Sequence, residues 1–223
     1  NNTKLTNEMK VDNTDTINMV ENHIRSLNVI DNNVLNILKL IPRKLFTPEA
    51  YKNFSHVDIN IPIGNNQHML MPSIEAKLLQ ALNIQPNENI LVVGSGTGYL
   101  SSCVSLLGNK VHSIDIDNDL VELSKKNSNQ DFLKGNILYE HLDLMSNLSI
   151  IRKYKTIILT SSIDDLGVVT DHMDDQSRAF IFFGKKTAPV KTGFLIKKSK
   201  TSSLSKEYIA ETDVSHIIVE KND

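Results

Sequence analysis

Cysteine is nearly absent: Cys103 is the one thiol among 223 residues. No disulfide can close within the chain, which excludes a disulfide-stapled secreted scaffold. Cys103 lies in the run Tyr99-Leu100-Ser101-Ser102-Cys103-Val104, where a buried structural thiol is the expectation. Long apolar runs are missing too, since none approaches the ~18 to 20 residues needed to span a bilayer. Residues 1–15 lack the charged-then-apolar order of a signal peptide and read as a mobile tail, with cytoplasmic residence the matching expectation. Neither sign of charge dominates, because 24 Lys and Arg against 26 Asp and Glu leave a net −2. No global field then favours nucleic acid or an anionic membrane, and neither is expected as a partner. The seven histidines show no metal-ligand spacing, so no metal is expected.

What is present reads as one α/β unit with an appended arm. Ile17, Val20, Ile24 and Leu27 recur at helical spacing, and so do Val34, Leu35, Leu38 and Ile41 after the N-cap candidate Asp31. Irregular sequence follows over 51–71, and Pro72-Ser73 opens another helix with Ile74, Leu78, Leu79 and Leu82 on one face. Strands are expected at 89–93, 110–115, 131–134, 156–160, 179–183 and 193–198, with helices at 99–107 and 117–126. A β-rich last segment, 206–219, would close the sheet edge. Alternation of this kind predicts a doubly wound, mostly parallel sheet. The expected division is a tail over 1–15, a helical arm with a loop over 16–72, and a Rossmann-like domain over 73–223.

The sharpest motif is Gly94-Ser95-Gly96-Thr97-Gly98, placed directly after a strand and opening a helix. Glycines let the backbone turn tightly and approach a ligand, and the helix start offers free N–H groups. Asp115 ends the next strand roughly 20 positions later, where a carboxylate can accept bonds from both ribose hydroxyls of a nucleoside. The glycine spacing differs from the dinucleotide fingerprint and no phosphate-loop lysine is present. Both facts point towards S-adenosylmethionine and away from NAD or ATP.

Several blocks in order give the chain a family likeness. They are Ile41-Pro42-Arg43-Lys44-Leu45-Phe46-Thr47-Pro48-Glu49, Ile61-Pro62-Ile63-Gly64 with Gln67, Pro72, Gln85-Pro86, and Gly94-Ser95-Gly96-Thr97-Gly98-Tyr99. Together they resemble the protein-L-isoaspartate O-methyltransferase family, in a divergent bacterial branch that lacks the usual Thr/Ser substrate loop. The resemblance implies a Rossmann-like class I methyltransferase fold with an N-terminal helical arm, and S-adenosyl-L-methionine as cofactor. It implies methyl transfer to the carboxylate of isoaspartyl residues, the first step in repair of damaged proteins. The acceptor would be a protein or peptide carrying isoaspartate, or a small carboxylate. By the same resemblance Gly94, Ser95, Gly96, Thr97 and Gly98 would hold the methionine and ribose parts. Asp115 and Ile116 would hold the ribose, and the turn Gly135, Asn136, Ile137 would lie beside the adenine. Gln67, His68 and Leu70 fall in the acceptor loop.

Some positions depart from the family pattern. His68 and Leu70 replace the loop's Thr and Ser, Val92 and Asn136 replace acids, and Gln176-Ser177 replaces a Gly-Gly pair. Leu70 cannot donate a hydrogen bond to an acceptor carboxylate, and His68 is the candidate replacement. Each lost acceptor at Val92 and Asn136 would cost the cofactor about 1 kcal/mol. Two other readings stay open: a methyltransferase of this fold with another acceptor, and a non-catalytic protein that keeps the fold to bind S-adenosylhomocysteine or a partner.

Overall fold

The computed structural model describes residues 12–219. Of the tail expected over 1–15, residues 1–11 lie outside the described residues, while Thr14 and Asp15 already belong to α1 (Thr14–Met19). That helix runs on through a π turn, Val20–Ile24, and a 3₁₀ turn, Arg25–Leu27, and stops where Asn28 turns left-handed at φ 64°. Helix α2 (Asn32–Leu40) starts at Asp31, whose carboxylate accepts from the N–H groups of Asn33 and Val34 at 2.8 and 3.2 Å. It satisfies two of the donors every helix start leaves open. Inside the stretch expected to be irregular, β1 (Ile61–Gly64) and β2 (Gln67–Met69) form a hairpin. Its turn residues Asn65 and Asn66 both have positive φ, which suits the right-handed twist of paired strands. Helix α3 (Pro72–Leu82) follows, with proline in its first turn.

The remainder runs β3 (Asn89–Val93), α4 (Tyr99–Leu107), β4 (Lys110–Asp115), α5 (Asn118–Asn127), β5 (Ile137–His141), β6 (Thr156–Ile163), α6 (Gly167–Thr170), β7 (Arg178–Phe183), β8 (Lys191–Lys198) and β9 (Leu204–Thr212). The seven-stranded sheet has the order β5-β4-β3-β6-β7-β8-β9. Pairing is parallel from β5 to β7, then antiparallel through β8 and β9. Chain order reverses between β3 and β6, and such a switch point opens a crevice at the carboxyl ends of the strands.

Two expectations need correction. The strand placed at 131–134 is a turn, and the third parallel strand is β5. Phe132 and Leu133 drew the assignment because they are apolar, but they pack against the core from a loop. As the sheet's edge strand, β5 buries only Tyr139 and leaves Leu138 59% exposed, so its apolar signature is weak. The β-rich segment 206–219 is also divided. β9 ends at Thr212, and His216 forms an isolated parallel bridge with Ser162 at the end of β6.

Alternation along the central strands sorts the core into two layers. Ile90, Val92, Ile158, Phe180 and Phe182 face the side of α2, α3 and α4, whereas Leu91, Val93, Ile157, Leu159, Ala179 and Ile181 face the other. The first layer also takes in Val20, Ile24, Leu35, Ile41 and Phe46, so the arm shares its apolar interior with the sheet. Cys103 is fully buried there, as expected. Gln176, at φ 60°, carries a left-handed turn where the family pattern has glycine. Among the described residues no helix is long and apolar enough to cross a membrane.

Candidate functional site

A cleft opens at the switch point, lined by the ends of β3, β4 and β6 and by the segment after β5. Gly94 continues the β3 ladder, donating to the Ile114 carbonyl at 2.8 Å. It then turns at φ 96°, and a Cβ there would lie 2.0 Å from Thr160 Oγ1. That hydroxyl donates to the carbonyls of Val93 and Gly94 at 3.0 and 2.9 Å. The loop is therefore pressed flat on β6, and only glycine fits the crossing. Gly98, at φ 87°, caps α4 and has Ser128, Tyr139 and Ser124 packed against it. Above the loop, Ile63 of the hairpin lies 3.5 Å from the position a Cβ on Gly96 would take. The Asn65 side chain donates to Asp117, which fixes the hairpin over the glycines.

Asp115 is tied to this loop and only 8% exposed. Ser95 Oγ and the Gly96 N–H each donate to its Oδ2 at 3.2 Å, and the Asp117 N–H donates to Oδ1 at 3.0 Å. Burial raises its pKa above the usual aspartate value, while these three bonds act against the rise. A carboxylate has about four lone-pair positions, so two incoming hydroxyls require one present donor to yield, and the Ser95 hydroxyl is free to rotate away. Ile116 and Asp117 line the same wall. Thus Gly94, Asp115 and Ile116 line the cleft, Ser95, Gly96 and Thr97 line the hollow beside it, and Gly98 lies behind them at the start of α4.

Gly135, Asn136 and Ile137 do not join them. Ile137 pairs with Val111 at the start of β4, and the Asn136 amide donates to the carbonyls of Ser105 and Asn109 at 3.0 and 2.6 Å. At 3.3 Å per residue, this turn is about 13 Å down the strand from Asp115. The slip of one strand in the sequence reading displaced the residues that follow it. The segment that does line the cleft after β5 is Leu142, Asp143 and Leu144. Asp143 accepts from the Met145 N–H and from Ser146 Oγ at 2.9 and 2.8 Å. An acid a few residues past a half-buried strand was the signal that could have found it. Val92 also lies away from the cleft, fully buried under the helices, so neither departure at Val92 nor at Asn136 removes an acceptor from it.

The acceptor loop borders the same region. Gln67 lines the cleft, and its Oε1 accepts from Ser161 Oγ at 3.4 Å. His68 and Leu70 line an adjoining small cavity, together with Glu75, Tyr99, Thr160 and the glycine loop. His68 is exposed and lies 3.3 Å from Ser215 Oγ. Leu70 is buried, and its carbonyl accepts from Arg43 Nη2 at 2.7 Å. Arg43, fully buried, also donates through Nη1 to Glu75 and stacks 4.7 Å over the Tyr99 ring. Glu75 is 3% exposed, and burial pushes its carboxyl up to about 7 although Arg43 pulls the other way. In the sequence Arg43 belongs to a motif, whereas Glu75 looks like an ordinary first-turn acid of α3.

Residues 14–172 match the family model described as protein-L-isoaspartate(D-aspartate) O-methyltransferase. Protein-L-isoaspartate O-methyltransferase 1 of Syntrophobacter fumaroxidans is 38% identical over 97 residues, which is 44% of this chain and 45% of the relative. Protein-L-isoaspartate O-methyltransferase of Aeropyrum pernix is 33% identical over 122 residues, 53% of this chain and 47% of the relative. The matched stretch thus spans about half the length of these relatives. Among solved structures, a protein-L-isoaspartate O-methyltransferase from Plasmodium falciparum in complex with S-adenosyl-L-homocysteine superposes with a TM-score of 0.75 at 18% identity. That superposition covers 90% of this chain and 97% of the other. The likeness shows a shared Rossmann-like class I methyltransferase fold.

Proposed function

The chain belongs to the protein-L-isoaspartate(D-aspartate) O-methyltransferase family, and from that membership we propose that it methylates the free carboxylate of isoaspartyl residues in proteins or peptides, with S-adenosyl-L-methionine as methyl donor. The observation that carries this reading is the switch-point cleft, where a glycine loop with room for no Cβ at Gly94 meets the buried carboxylate of Asp115. The residues present fit the donor. Gly94 and Gly96 would face its amino-acid part and Asp115 its ribose. Asp143 with Ile116 and Leu142 would flank the adenine, taking over the place given to Gly135, Asn136 and Ile137.

When bound, S-adenosyl-L-methionine supplies a methyl group on a sulfonium sulfur, which leaves as a neutral thioether. The acceptor carboxylate is already an anion at neutral pH, so the chain need not remove a proton. Its task is to align the acceptor oxygen and keep water out. The apolar walls Leu70, Leu142, Leu144, Ile217 and Ile218 serve the second purpose, and the loop from Gln67 to Leu70 borders the acceptor's side.

The test is methyl-ester formation on a peptide carrying one isoaspartate, against the same peptide with ordinary aspartate. Ester on the first alone is the expected result. Asp115→Ala should weaken S-adenosylhomocysteine binding about ten- to hundredfold by calorimetry. Binding without ester on any carboxylate would instead favour the non-catalytic reading, and ester on other acceptors would favour a different substrate.

A further inference from the structure

The family serine that would grip an acceptor is Leu70 here, yet the cavity beneath it is not wholly apolar. Glu75, from the first turn of α3, borders that cavity beside Leu70 and the glycine loop. Its Oε1 is held by Arg43 Nη1, while its Oε2 has no hydrogen-bond partner among the described residues. Glu75 lines that cavity on a side chain only 3% exposed, and a carboxyl oxygen left there without a partner is free to bond a ligand. Arg43 cannot take this role itself. It is fully buried and does not line the cavity; Nη1 and Nη2 are held by Glu75 and the Leu70 carbonyl, and its unpaired Nε is enclosed with them over the Tyr99 ring.

We propose that Glu75 in its protonated form supplies, through Oε2–H, the donor that holds the acceptor carboxylate in line for methylation. The proposal rests on the carboxyl-methylation reading above. Charge balance supports the protonated form. With an acceptor carboxylate beside the pair, protonated Glu75 leaves one cation, Arg43, facing one anion. Ionised Glu75 would leave two anions in a buried space, an arrangement that favours protonation of one of them.

The neighbours agree. The groups facing Glu75 are Arg43 from the 3₁₀ turn Arg43–Phe46, Asp58 from the loop before β1, and Tyr99 and Cys103 from α4, with His68 across the cavity on β2. Desolvation raises the Glu75 pKa, Arg43 opposes the rise and Asp58 adds to it. Burial also pushes Tyr99 and Cys103 upward, so both stay neutral and neither competes for the proton. In the transfer the acceptor oxygen forms a bond to the methyl carbon as the carbon–sulfur bond breaks and its pair returns to sulfur. The negative charge on the carboxylate and the positive charge on sulfur vanish together. Glu75 keeps its proton throughout, so its role is to position the acceptor.

The experiment is the pH profile of kcat/KM on an isoaspartyl peptide for the whole chain and for Glu75→Gln, whose amide always donates. For the wild type, kcat/KM should fall tenfold per pH unit above about 7 as the donor is lost. In Glu75→Gln that descending limb should be absent, with the neutral-pH value kept within about threefold. Glu75→Met should lose about ten- to hundredfold in kcat/KM while S-adenosylhomocysteine affinity stays within about threefold. Should Glu75→Met not fold, the Gln profile still decides. A calorimetric titration of the S-adenosylhomocysteine-bound protein with the same peptide, in buffers of different ionisation heat, gives the second readout. Near pH 8, binding should take up close to one proton in the wild type and none in Glu75→Gln. An active wild type whose limb persists in Glu75→Gln overturns the positioning role alone. Loss of activity across the whole pH range in Glu75→Gln would mark Glu75 as a proton acceptor for a hydroxyl or amine, and also overturns it. A wild type that neither esterifies nor binds the peptide overturns the carboxyl-methylation reading together with the proposal.

Discussion

Single carboxyls set the behaviour of this site because two of them are buried and neither sits in water's high dielectric. In the proposed ribose contact Asp115 accepts best as a carboxylate, yet burial raises its pKa above the usual aspartate value. Affinity for S-adenosylhomocysteine should therefore decline as pH falls, starting at higher pH than an exposed aspartate would impose. Calorimetric titrations from neutral pH down towards the ordinary aspartate range near 3.9 would show it. An affinity flat down to pH 4 would remove Asp115 from the ribose contact. Glu75 affects stability with a defined sign. Its folded value of about 7 lies above its ordinary 4.5, so its contribution to stability is full below about 4.5 and is lost as pH rises through about 7. Relative to Glu75→Gln, which does not titrate there, the wild type should lose melting temperature between pH 5 and pH 8. A difference that does not change with pH would show that Arg43 keeps Glu75 ionised throughout.

At the scale of elements, the loop after β3 is specified by what it touches. A Cβ at Gly94 would strike Thr160 on the neighbouring strand and would also force a side chain to φ 96°. Gly94→Ala should destabilise the fold by about 1–3 kcal/mol, read from urea midpoints. Adding Thr160→Ala should restore part of this and no more, since the clash goes while the backbone strain stays. Full additivity of the two losses would mean that the residues do not interact. The strand–loop–helix unit around Gly94 was legible in the sequence because a wholly buried strand bounded by glycine has few other readings. β5 was not. As an edge strand it buries one residue in five, and the neighbouring Phe132-Leu133 pair offered a stronger apolar signal from a loop. The same shift separates Asn136, at the foot of β5, from the cleft that Asp143 lines. Similarly, Arg43 and Glu75 are far apart in sequence and meet only because α3 packs beside the arm, so no local pattern announced their pairing.

For the molecule as a whole, the cleft is closed by parts that come from both ends of the chain. The hairpin from the arm side covers the glycine loop, and the segment after β9 returns to the open end of β6. There Ser162 donates to the Ser215 carbonyl and accepts from the Ile217 N–H, each at 2.8 Å. The bulge in the β6–β7 register between Ile158 and Ser162 is next to the point where this segment joins. Ile217 and Ile218 then line the cleft opposite Asp115. Among the described residues the last strand of the sheet ends at Thr212, and Val214 is the last one buried in the main apolar layer. A chain ending at His216 should keep its helix and strand content and a cooperative melt, because it retains every strand and that last core residue. It should nonetheless bind S-adenosylhomocysteine on the order of tenfold more weakly, as half-buried Ile217 and the more exposed Ile218 leave the cleft wall. Circular dichroism separates the two effects from a general loss of folding. Unchanged affinity in a folded, shortened chain would mean that the returning segment only packs against β6 and takes no part in enclosing the ligand.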